Sequence, residues 1–499
     1  MRDYNPEEML RLSNGTYIVD PDDSKKMAYI KSVRPERAYQ DDSTAYTWDE
    51  AGMADLFGEC YKKDTRYCPE HKSWYTYDSG KWQKDTGALL VSRKIKEFTR
   101  IMALYCGEIT DEDVRKNYMK FVSKMGDRRF RDRLMKDAAD CLQISAVQFD
   151  SNPYLLNLKN GTYNLETGRL QEHDPDDFLT MQTNFSYTAD KENPPECGRW
   201  LEFIEQVTED AQKADYLQRA LGYSLLGTSN EECMFILWGK TTRNGKSTLL
   251  DAVQHMLGDY STVVPVELIC RESKPRSADS ASPILARLKG KRFVTMAESD
   301  TAGRLDEAVI KQYTGGEEIT ARELYQAPIT FKPQFTMWLS CNDLPQVKDK
   351  SLFASDRLRV ISFDKHFSEA EQDKTLKDFF ETEGAMKGIF TWLLGGYDRY
   401  KQQGVGLQMP GAMREIVRGY EKDNDTVLQF LESQCKRDAG NQMKAKTLYD
   451  RYKTWSRSCG YGLFSFRRFN SELTMHTEWY DSLNAGVVTG ISLGGEGKT

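Results

Sequence analysis

Apolar residues recur along the chain with two spacings, one typical of helices and one typical of short strands. Residues 74–82 predict two short aromatic strands around an Asp-Ser-Gly turn. Residues 155–158 and 161–164 predict a second hairpin with Asn160-Gly161 as its turn. Helical spacing extends over residues 49–63, 91–145, 200–209 and 214–226. These patterns predict helices and β-hairpins in the first half of the chain.

The same pattern divides the chain into domains. A length of 499 residues exceeds what one core usually organises. Residues 1–45 are polar and interrupted by prolines, so we expect a loosely ordered arm there. Breaks near Pro194-Pro195 and residues 421–425 then predict three domains. They are a helical and hairpin domain over 46–199, an α/β domain over 200–420 and a small module over 421–499.

The most informative segment is 234–248, MFILWGKTTRNGKST, an apolar run followed by a turn framed by two glycines. Such a turn wraps phosphates with backbone N–H groups, and the lysine and hydroxyl after its second glycine reach phosphate oxygens and Mg²⁺. Apolar residues at helical spacing over 249–257 predict a helix whose N terminus favours an anion. The pattern therefore predicts a nucleoside triphosphatase, although five residues separate the glycines instead of the usual four.

The predicted nucleotide-binding residues all belong to this loop. Lys246 is expected to act on the β- and γ-phosphates, and Ser247 is expected to hold Mg²⁺. The complete set is Gly239, Lys240, Thr241, Thr242, Arg243, Asn244, Gly245, Lys246, Ser247 and Thr248.

Two later apolar runs end in side chains suited to hydrolysis. The run 293–297 is followed directly by Glu298, our candidate for the acid that activates water. Asp300 is a weaker second candidate. Their ligation of Mg²⁺ beside Ser247 stays open, because Ala297 occupies a place where such sites usually carry an acid. The run 335–339 leads to Asn342, whose neutral amide can orient water without taking its proton.

A third run, 360–363, is preceded by Arg357 and Arg359. An arginine at this position could reach the nucleotide of a neighbouring subunit, and such a finger requires an oligomer.

Charge and hydropathy exclude several classes of protein. The net charge of −7 argues against a general polyanion binder, so any contact with nucleic acid must be local. We find neither a membrane-spanning run nor an apolar signal core, so we expect no membrane partner and a cytoplasmic location. The cysteines are scattered singly, which argues against a zinc module or a disulfide framework.

The ordered motifs resemble those of the superfamily 3 helicases of the phage, plasmid and poxvirus primase-helicase type. The residues that carry the resemblance are Gly245-Lys246-Ser247, Glu298, 310–316, Ala321-Arg322, Asn342 and 357–363. The resemblance implies an AAA+-like core, ATP as the nucleotide, and a ring, usually a hexamer, that moves on single-stranded DNA and separates forked duplex. It also implies catalytic roles for Lys246, Glu298 and Asn342, and an arginine finger at Arg357 with Arg359 second.

The resemblance further implies DNA contacts around a hairpin in the ring channel. Lys311 and Arg322 match basic residues of the motif before the sensor. Residues 319–325 and 329–335 are expected to form the two strands of the hairpin, with Tyr325 placed to stack on a base and Lys332 to hold phosphate. A core role for Tyr325 is equally compatible with the sequence.

The last module has the pattern of three helices followed by a strand, which suggests a winged helix. In that arrangement Ser465 begins the third helix, and Arg467 and Arg468 enter a DNA groove. A protein-binding or structural role for the module is the alternative.

The leading hypothesis is thus a ring-forming, ATP-dependent DNA helicase that replicates a phage or mobile element in a bacterial cytoplasm. One alternative is an initiator that uses ATP only to assemble on or melt an origin, and another is a protein-remodelling NTPase. Close acid pairs fall only in polar, loop-like contexts, so we expect no primer synthesis by this chain and allow for a separate primase partner.

Overall fold

The computed structural model describes residues 21–39, 46–188, 194–195, 197–271, 282–297, 303–322, 324 and 328–494. Within these ranges the buried apolar residues form three large clusters, one in an N-terminal helical domain, one around a central parallel sheet and one in a C-terminal module.

The N-terminal domain packs five helices around a small antiparallel sheet. Three of the helices divide the long segment of helical spacing, because Asp111 and Asp127 each accept backbone N–H bonds and so start a new helix. The elements are α1 Pro21–Val33, α2 Glu50–Tyr61, β1 Thr65–Cys68, β2 Ser73–Asp78, β3 Lys81–Asp85, α3 Leu89–Tyr105, α4 Glu112–Met125 and α5 Arg128–Cys141.

The expectation of a loosely ordered arm is wrong for residues 21–39. Ile30 of α1 is fully buried, and the ammonium of Lys26 lies 2.8 Å from Asp64 and 4.2 Å from the ring centroid of Tyr61. The polar composition of this segment concealed a helix that is held by a few specific contacts. Residues 1–20 and 40–45 lie outside the described residues.

The second predicted hairpin forms with the expected bounds and gains a third strand. Its strands are β4 Leu155–Leu158, β5 Gly161–Asn164 and β6 Arg169–Gln171. Leu156 and Leu158 belong to the buried cluster of the central sheet, and the backbone N–H of Asn157 donates to Tyr260 at 3.0 Å. This hairpin therefore packs as part of the α/β core.

The α/β domain is built on a five-stranded parallel sheet with the strand order β13-β7-β12-β9-β8. Strands β7 and β12 are apolar runs because helices cover both faces of a parallel sheet. The first part of the domain contains α6 Gly198–Thr208, α7 Ala211–Tyr223, β7 Met234–Trp238, α8 Lys246–Leu257, β8 Ser261–Val263, α9 Pro283–Ala286, β9 Phe293–Ala297 and α10 Glu307–Thr314. The second part contains β10 Ile319–Ala321, β11 Ile329–Phe331, β12 Thr336–Cys341, α11 Ser351–Ala354, β13 Leu358–Ser362, α12 Leu376–Phe380, α13 Glu383–Gln403 and α14 Gly411–Asp423.

The C-terminal module contains three helices and an antiparallel sheet of order β14-β16-β15. Its core is aromatic, with Phe430, Tyr452 and Phe469 in contact. The elements are α15 Thr426–Gln434, β14 Cys435–Lys444, α16 Ala445–Ser458, α17 Phe466–Leu473, β15 Ser482–Asn484 and β16 Val487–Leu493. The sequence pattern missed β14 because most of its residues are polar and exposed.

Asp425 joins this module to the α/β domain. Its carboxylate caps α15, lies 2.6 Å from Lys350 Nζ and lies 2.9 Å from His476 Nε2. Burial raises the pKa of this carboxyl group, but His476 and Lys350 lower it by more, so that the net pKa is about 2. The folded protein therefore favours the charged carboxylate.

Replacing Asp425 with alanine is expected to lower the free energy of unfolding by about 2 kcal/mol, because the change removes a helix cap and the buried acceptor that Lys350 and His476 share. In the unchanged protein this contribution is present above pH 4 and is lost as the pH falls from about 4 to 2. Urea unfolding at pH 7 measures the effect, with the exposed Asp423→Ala as the matched control. Equal stability of the two variants would contradict the assignment.

Candidate functional site

The carboxyl ends of three neighbouring strands meet at one edge of the parallel sheet. Trp238 of β7 pairs with Cys341 of β12, and Ser340 of β12 pairs with Ala297 of β9. The glycine-framed loop and Asn342 therefore leave the sheet side by side. The next residue after β9 is Glu298, and both Glu298 and Asp300 lie outside the described residues.

The loop between β7 and α8 follows a path that only glycine allows at two points. Gly245 has a φ of 85°, and a Cβ added there would lie 2.5 Å from Val207. A Cβ at Gly239 would lie 2.5 Å from the carbonyl oxygen of Phe363. The buried Asn244 donates to the carbonyl of Thr241 at 2.6 Å, a bond that holds the five-residue loop closed.

A segment that the sequence did not single out braces this loop from outside. The backbone N–H of Phe367 donates to the carbonyl of Arg243 at 2.9 Å, and His366 Nδ1 lies 2.8 Å from the carbonyl oxygen of Thr242. These contacts link the loop to the chain after β13. No local motif marks the segment, because its role depends on the parallel pairing of β13 with β7.

Lys246 and Asn342 meet at this edge of the sheet. The Lys246 ammonium donates to Asn342 Oδ1 at 2.9 Å and to the carbonyl of Gly239 at 3.2 Å. Lys246 is only 5% exposed, so its charge is confined to a small region beside the loop. A phosphate held by the loop would meet both side chains, which lie far apart in sequence.

The first turn of α8 completes the predicted binding loop. Ser247 is exposed at the N terminus of α8, and Thr248 lines a cavity of about 340 Å³ beside Arg243 and Gly245. Phe203 and Phe367 supply aromatic walls of this cavity. The remaining loop residues Lys240, Thr241 and Thr242 are exposed.

Arg357 lies at the opposite end of the sheet from the loop of its own chain. Leu358 of β13 pairs with Met234, the first residue of β7, so the five residues of β7 separate Arg357 from the loop by about 13 Å or more. Its guanidinium donates to Thr314 Oγ1 at 2.6 Å and pairs with Glu232. Arg357 therefore does not reach the loop of its own chain.

Arg359, the second candidate finger, is held inside its own domain. Arg359 is 8% exposed, and its guanidinium donates to the carbonyl of Leu407 and to Tyr216 Oη and lies 3.4 Å from Glu231. These contacts hold the side chain inside its own domain, where it connects the sheet to the segment before α14.

The predicted DNA-binding residues are dispersed. Strands β10 and β11 form the expected hairpin, although each strand is three residues long. Lys332 follows β11 and is exposed, whereas the Lys311 ammonium is held by Ser351 at 2.6 Å and Asp349 at 3.3 Å. Arg322 directly follows β10, and Tyr325 lies outside the described residues.

The two arginines of α17 differ in their surroundings. Arg468 donates to the carbonyl of Lys348 at 3.0 Å, and its guanidinium lies 4.4 Å from the ring centroid of Phe464. The structure thus turns Arg468 toward the α/β domain and away from the predicted DNA-facing role. Arg467 is exposed, with no side-chain hydrogen bond or ion pair to any residue that the structure describes.

Replacing Gly245 with alanine is expected to weaken nucleotide binding at least about tenfold. The positive φ costs an alanine on the order of 1 kcal/mol or more, and the added Cβ collides with Val207 unless the loop moves. Titration with a fluorescent nucleotide measures the loss. Gly411→Ala is the matched control, since a Cβ there meets nothing within 4 Å, and equal affinities of the two variants would contradict the geometry.

No helix within the described ranges is both long and apolar enough to cross a bilayer. Three family models match separate parts of the chain. The D5 N terminal like model matches residues 54–209, a family of unknown function matches 237–357, and the poxvirus D5 protein-like model matches 422–482. Together the three models match parts of the N-terminal domain, the α/β domain and the C-terminal module.

A provisionally named helicase of Acanthamoeba polyphaga mimivirus is 26% identical over 477 residues, which is 89% of this chain and 49% of that protein. A provisionally named helicase of Frog virus 3 (isolate Goorha) is 26% identical over 275 residues, 51% of this chain and 27% of the relative. This chain thus spans half or less of these relatives, which come from eukaryotic viruses and give no support to the expected bacterial host.

Among solved structures, the apo C-terminal region of NrS-1 aligns over 86% of this chain and 96% of its own, with 11% identity and a TM-score of 0.46. The matching of D5 models at both ends of the chain, together with the relatives named as helicases, agrees with the family inferred from the ordered motifs. The ordered motifs, the two D5 models and these relatives together support a D5-like superfamily 3 primase-helicase family for this chain.

Proposed function

We propose that this chain is an ATP-dependent DNA helicase that acts as a ring, usually a hexamer, in the replication of a virus or mobile element. The observation that carries the proposal is the contact between Lys246 and Asn342 at 2.9 Å beside the glycine-framed loop. This pair brings a phosphate-binding cation and a water-orienting amide to one point. Both are needed where a γ-phosphate is cleaved.

The position of Arg357 supports the proposal of ring assembly. Its own loop is at the other end of the sheet, so a complete catalytic site combines the loop of one subunit with Arg357 of the next. In the strand order β13-β7-β12-β9-β8, β7, which leads into the glycine-framed loop, is second from one edge of the sheet. This arrangement supports an AAA+-like core. In such a ring, the β10–β11 hairpin would face the channel.

Mg²⁺ and ATP are proposed as cofactors because the residues around the glycine-framed loop offer suitable donors to both. Mg²⁺ prefers oxygen ligands, and the exposed hydroxyl of Ser247 lies at the helix terminus where the phosphates would supply the others. The ion would neutralise charge that develops on the phosphates. Glu298 is proposed to activate water, with Asp300 as a further ligand, and the aromatic walls of the 340 Å³ cavity would accept the nucleoside.

The C-terminal module favours a second candidate function. Its order of helix, strand, two helices and two strands supports a winged helix, and Arg467 is exposed on α17. An initiator that uses ATP only to assemble on an origin would use this surface to bind duplex DNA. Its ATP turnover would not respond to single strands, whereas that of a motor would.

Replacing Lys332 with alanine is expected to lower the part of ATP turnover that depends on single-stranded DNA at least about tenfold, because the exposed ammonium beside the hairpin would no longer hold phosphate. Turnover without DNA should not change. Coupled ATPase measurements with and without a thymidine oligonucleotide test this, with the exposed Lys120→Ala of α4 as the control. Full stimulation of the Lys332 variant would remove the hairpin from the mechanism, and no stimulation of the unchanged protein would favour the initiator.

A further inference from the structure

A second cavity lies between the N-terminal domain and the α/β domain, away from the glycine-framed loop. It has a volume of about 460 Å³. His71 and Tyr75 of the N-terminal domain form one side, and Arg287, Lys289 and Lys291, which follow α9, form the other. We call this cavity the junction pocket.

The junction pocket is electropositive. Its lining holds three cations and one carboxylate, Asp150, which accepts bonds from the N–H and the hydroxyl of Thr180. Outside the lining, Glu70 acts on Lys289, and Asp259 acts on Lys291 but is itself paired with Lys81. The whole chain carries a net charge of −7, so a local excess of positive charge does not follow from composition.

Two of the cations also have structural partners. The Lys289 ammonium donates to the carbonyl of Ala146, and the Lys291 ammonium donates to the carbonyl of Asp259. Burial lowers the pKa of both lysines, so both would be stabilised in the charged form by an anion in the pocket. These contacts with backbone carbonyls are enough to explain why lysines occupy positions 289 and 291.

Arg287, in contrast, has no structural contact that explains its position. It is exposed at the mouth of the junction pocket, and its guanidinium forms no hydrogen bond or ion pair with the residues that the structure describes. A planar guanidinium with five donors is suited to bind phosphate oxygens in pairs. On the facing side, the ring of His71, whose Nδ1 lies 2.7 Å from Tyr75 Oη, offers a flat surface on which a base can stack.

The junction pocket is connected to the β10–β11 hairpin. Just before α9, the backbone N–H of Ser282 donates to the carbonyl of Arg322 at 2.9 Å, and α9 packs against β10. Arg287 is five positions after Ser282, so their backbones are at most about 17 Å apart. A strand held at the hairpin is therefore within reach of the junction pocket.

We propose that the junction pocket binds a nucleotide unit of single-stranded DNA, with its phosphate on Arg287 and the neighbouring lysines, and so extends the DNA path beyond the hairpin. This inference rests on the proposed function, because it takes the hairpin as a DNA contact. The same chemistry would also accept a free nucleotide, and the test distinguishes the two sources.

Arg287→Glu in the full chain tests the proposal by fluorescence anisotropy with a labelled thymidine oligonucleotide across a range of salt concentrations. The expected result is affinity at least about tenfold lower and a salt dependence whose slope falls by about 1, since one phosphate contact is lost. Arg287→Ala should give an intermediate affinity. Arg414→Glu of α14 makes the same change of charge at an exposed arginine far along the chain and should leave the affinity unchanged.

Turnover of ATP without DNA confirms that each variant is folded and should be equal in all of them. If Arg287→Glu binds the oligonucleotide as the unchanged protein does, while the unchanged protein binds and unwinds DNA, the inference alone is overturned. A loss confined to binding of free thymidine triphosphate would likewise overturn the strand-binding proposal. If the unchanged protein neither binds single strands nor unwinds duplex, the proposed function itself fails.

Discussion

Replacing Lys246 with alanine is expected to lower ATP turnover at least about a hundredfold, on the order of the loss seen when a donor to a developing charge is removed. The ammonium is buried between the loop and Asn342, so its removal leaves the phosphates without a cation fixed at that point. Because the charge acts on the phosphates and not on the base, the nucleotide should still enter the site with reduced affinity. Steady-state ATPase measurements give the first quantity, and titration with a fluorescent nucleotide gives the second.

Lys422→Ala is the matched control for this substitution. Lys422 is exposed on α14 and forms only a 3.8 Å ion pair with Glu432, which contributes little to stability. Its loss should leave turnover unchanged. Turnover by the Lys246 variant within threefold of that of the control would show that phosphate cleavage takes place elsewhere.

Replacing Arg357 with alanine is expected to lower turnover on the order of a thousandfold in the assembled protein, the scale of an arginine finger supplied by a neighbour. Nucleotide binding by the loop of the same chain should persist, because Arg357 lies at the other end of the sheet. Arg357→Lys should recover little activity, since a lysine keeps the charge but not the paired donors.

Mixing variants tests the neighbour's contribution directly. Subunits carrying Lys246→Ala keep an intact Arg357, and subunits carrying Arg357→Ala keep an intact loop, so a mixture should regain part of the activity that each lacks alone. Arg418→Ala, exposed on α14 and paired only with Glu415, is the control for loss of an arginine. A mixture as inactive as its components would argue against a site shared between subunits.

Local patterns in the sequence predicted much of the secondary structure. The helix predicted over 49–63 forms as Glu50–Tyr61, and the hairpin around Asn160-Gly161 has the predicted strands. These elements are set by short-range signals, namely an Asp cap before α2 and a glycine turn. The glycine-framed loop before α8 was also predicted from its local sequence. In the structure its two glycines occupy positions with no room for a side chain.

Contacts between distant segments account for what the sequence missed. Arg357 and Arg359 are two residues apart, and a strand period of two does not separate them. Only the packing of α7 and of the segment around Leu407 distinguishes the buried arginine from the other. Arg468 turns inward because Lys348 offers a carbonyl, which no pattern within α17 reveals. The bracing of the loop by Phe367 and the electropositive cavity around Arg287 likewise depend on long-range packing.

Strand separation of a forked DNA duplex with Mg²⁺ and ATP tests the central claim most directly. The intact protein should unwind the fork, and the Lys246→Ala variant should not, which would tie the motor to the loop before α8. Unwinding by both proteins, or by neither while the intact protein still hydrolyses ATP in a manner insensitive to single strands, would contradict the account of a helicase driven from this site.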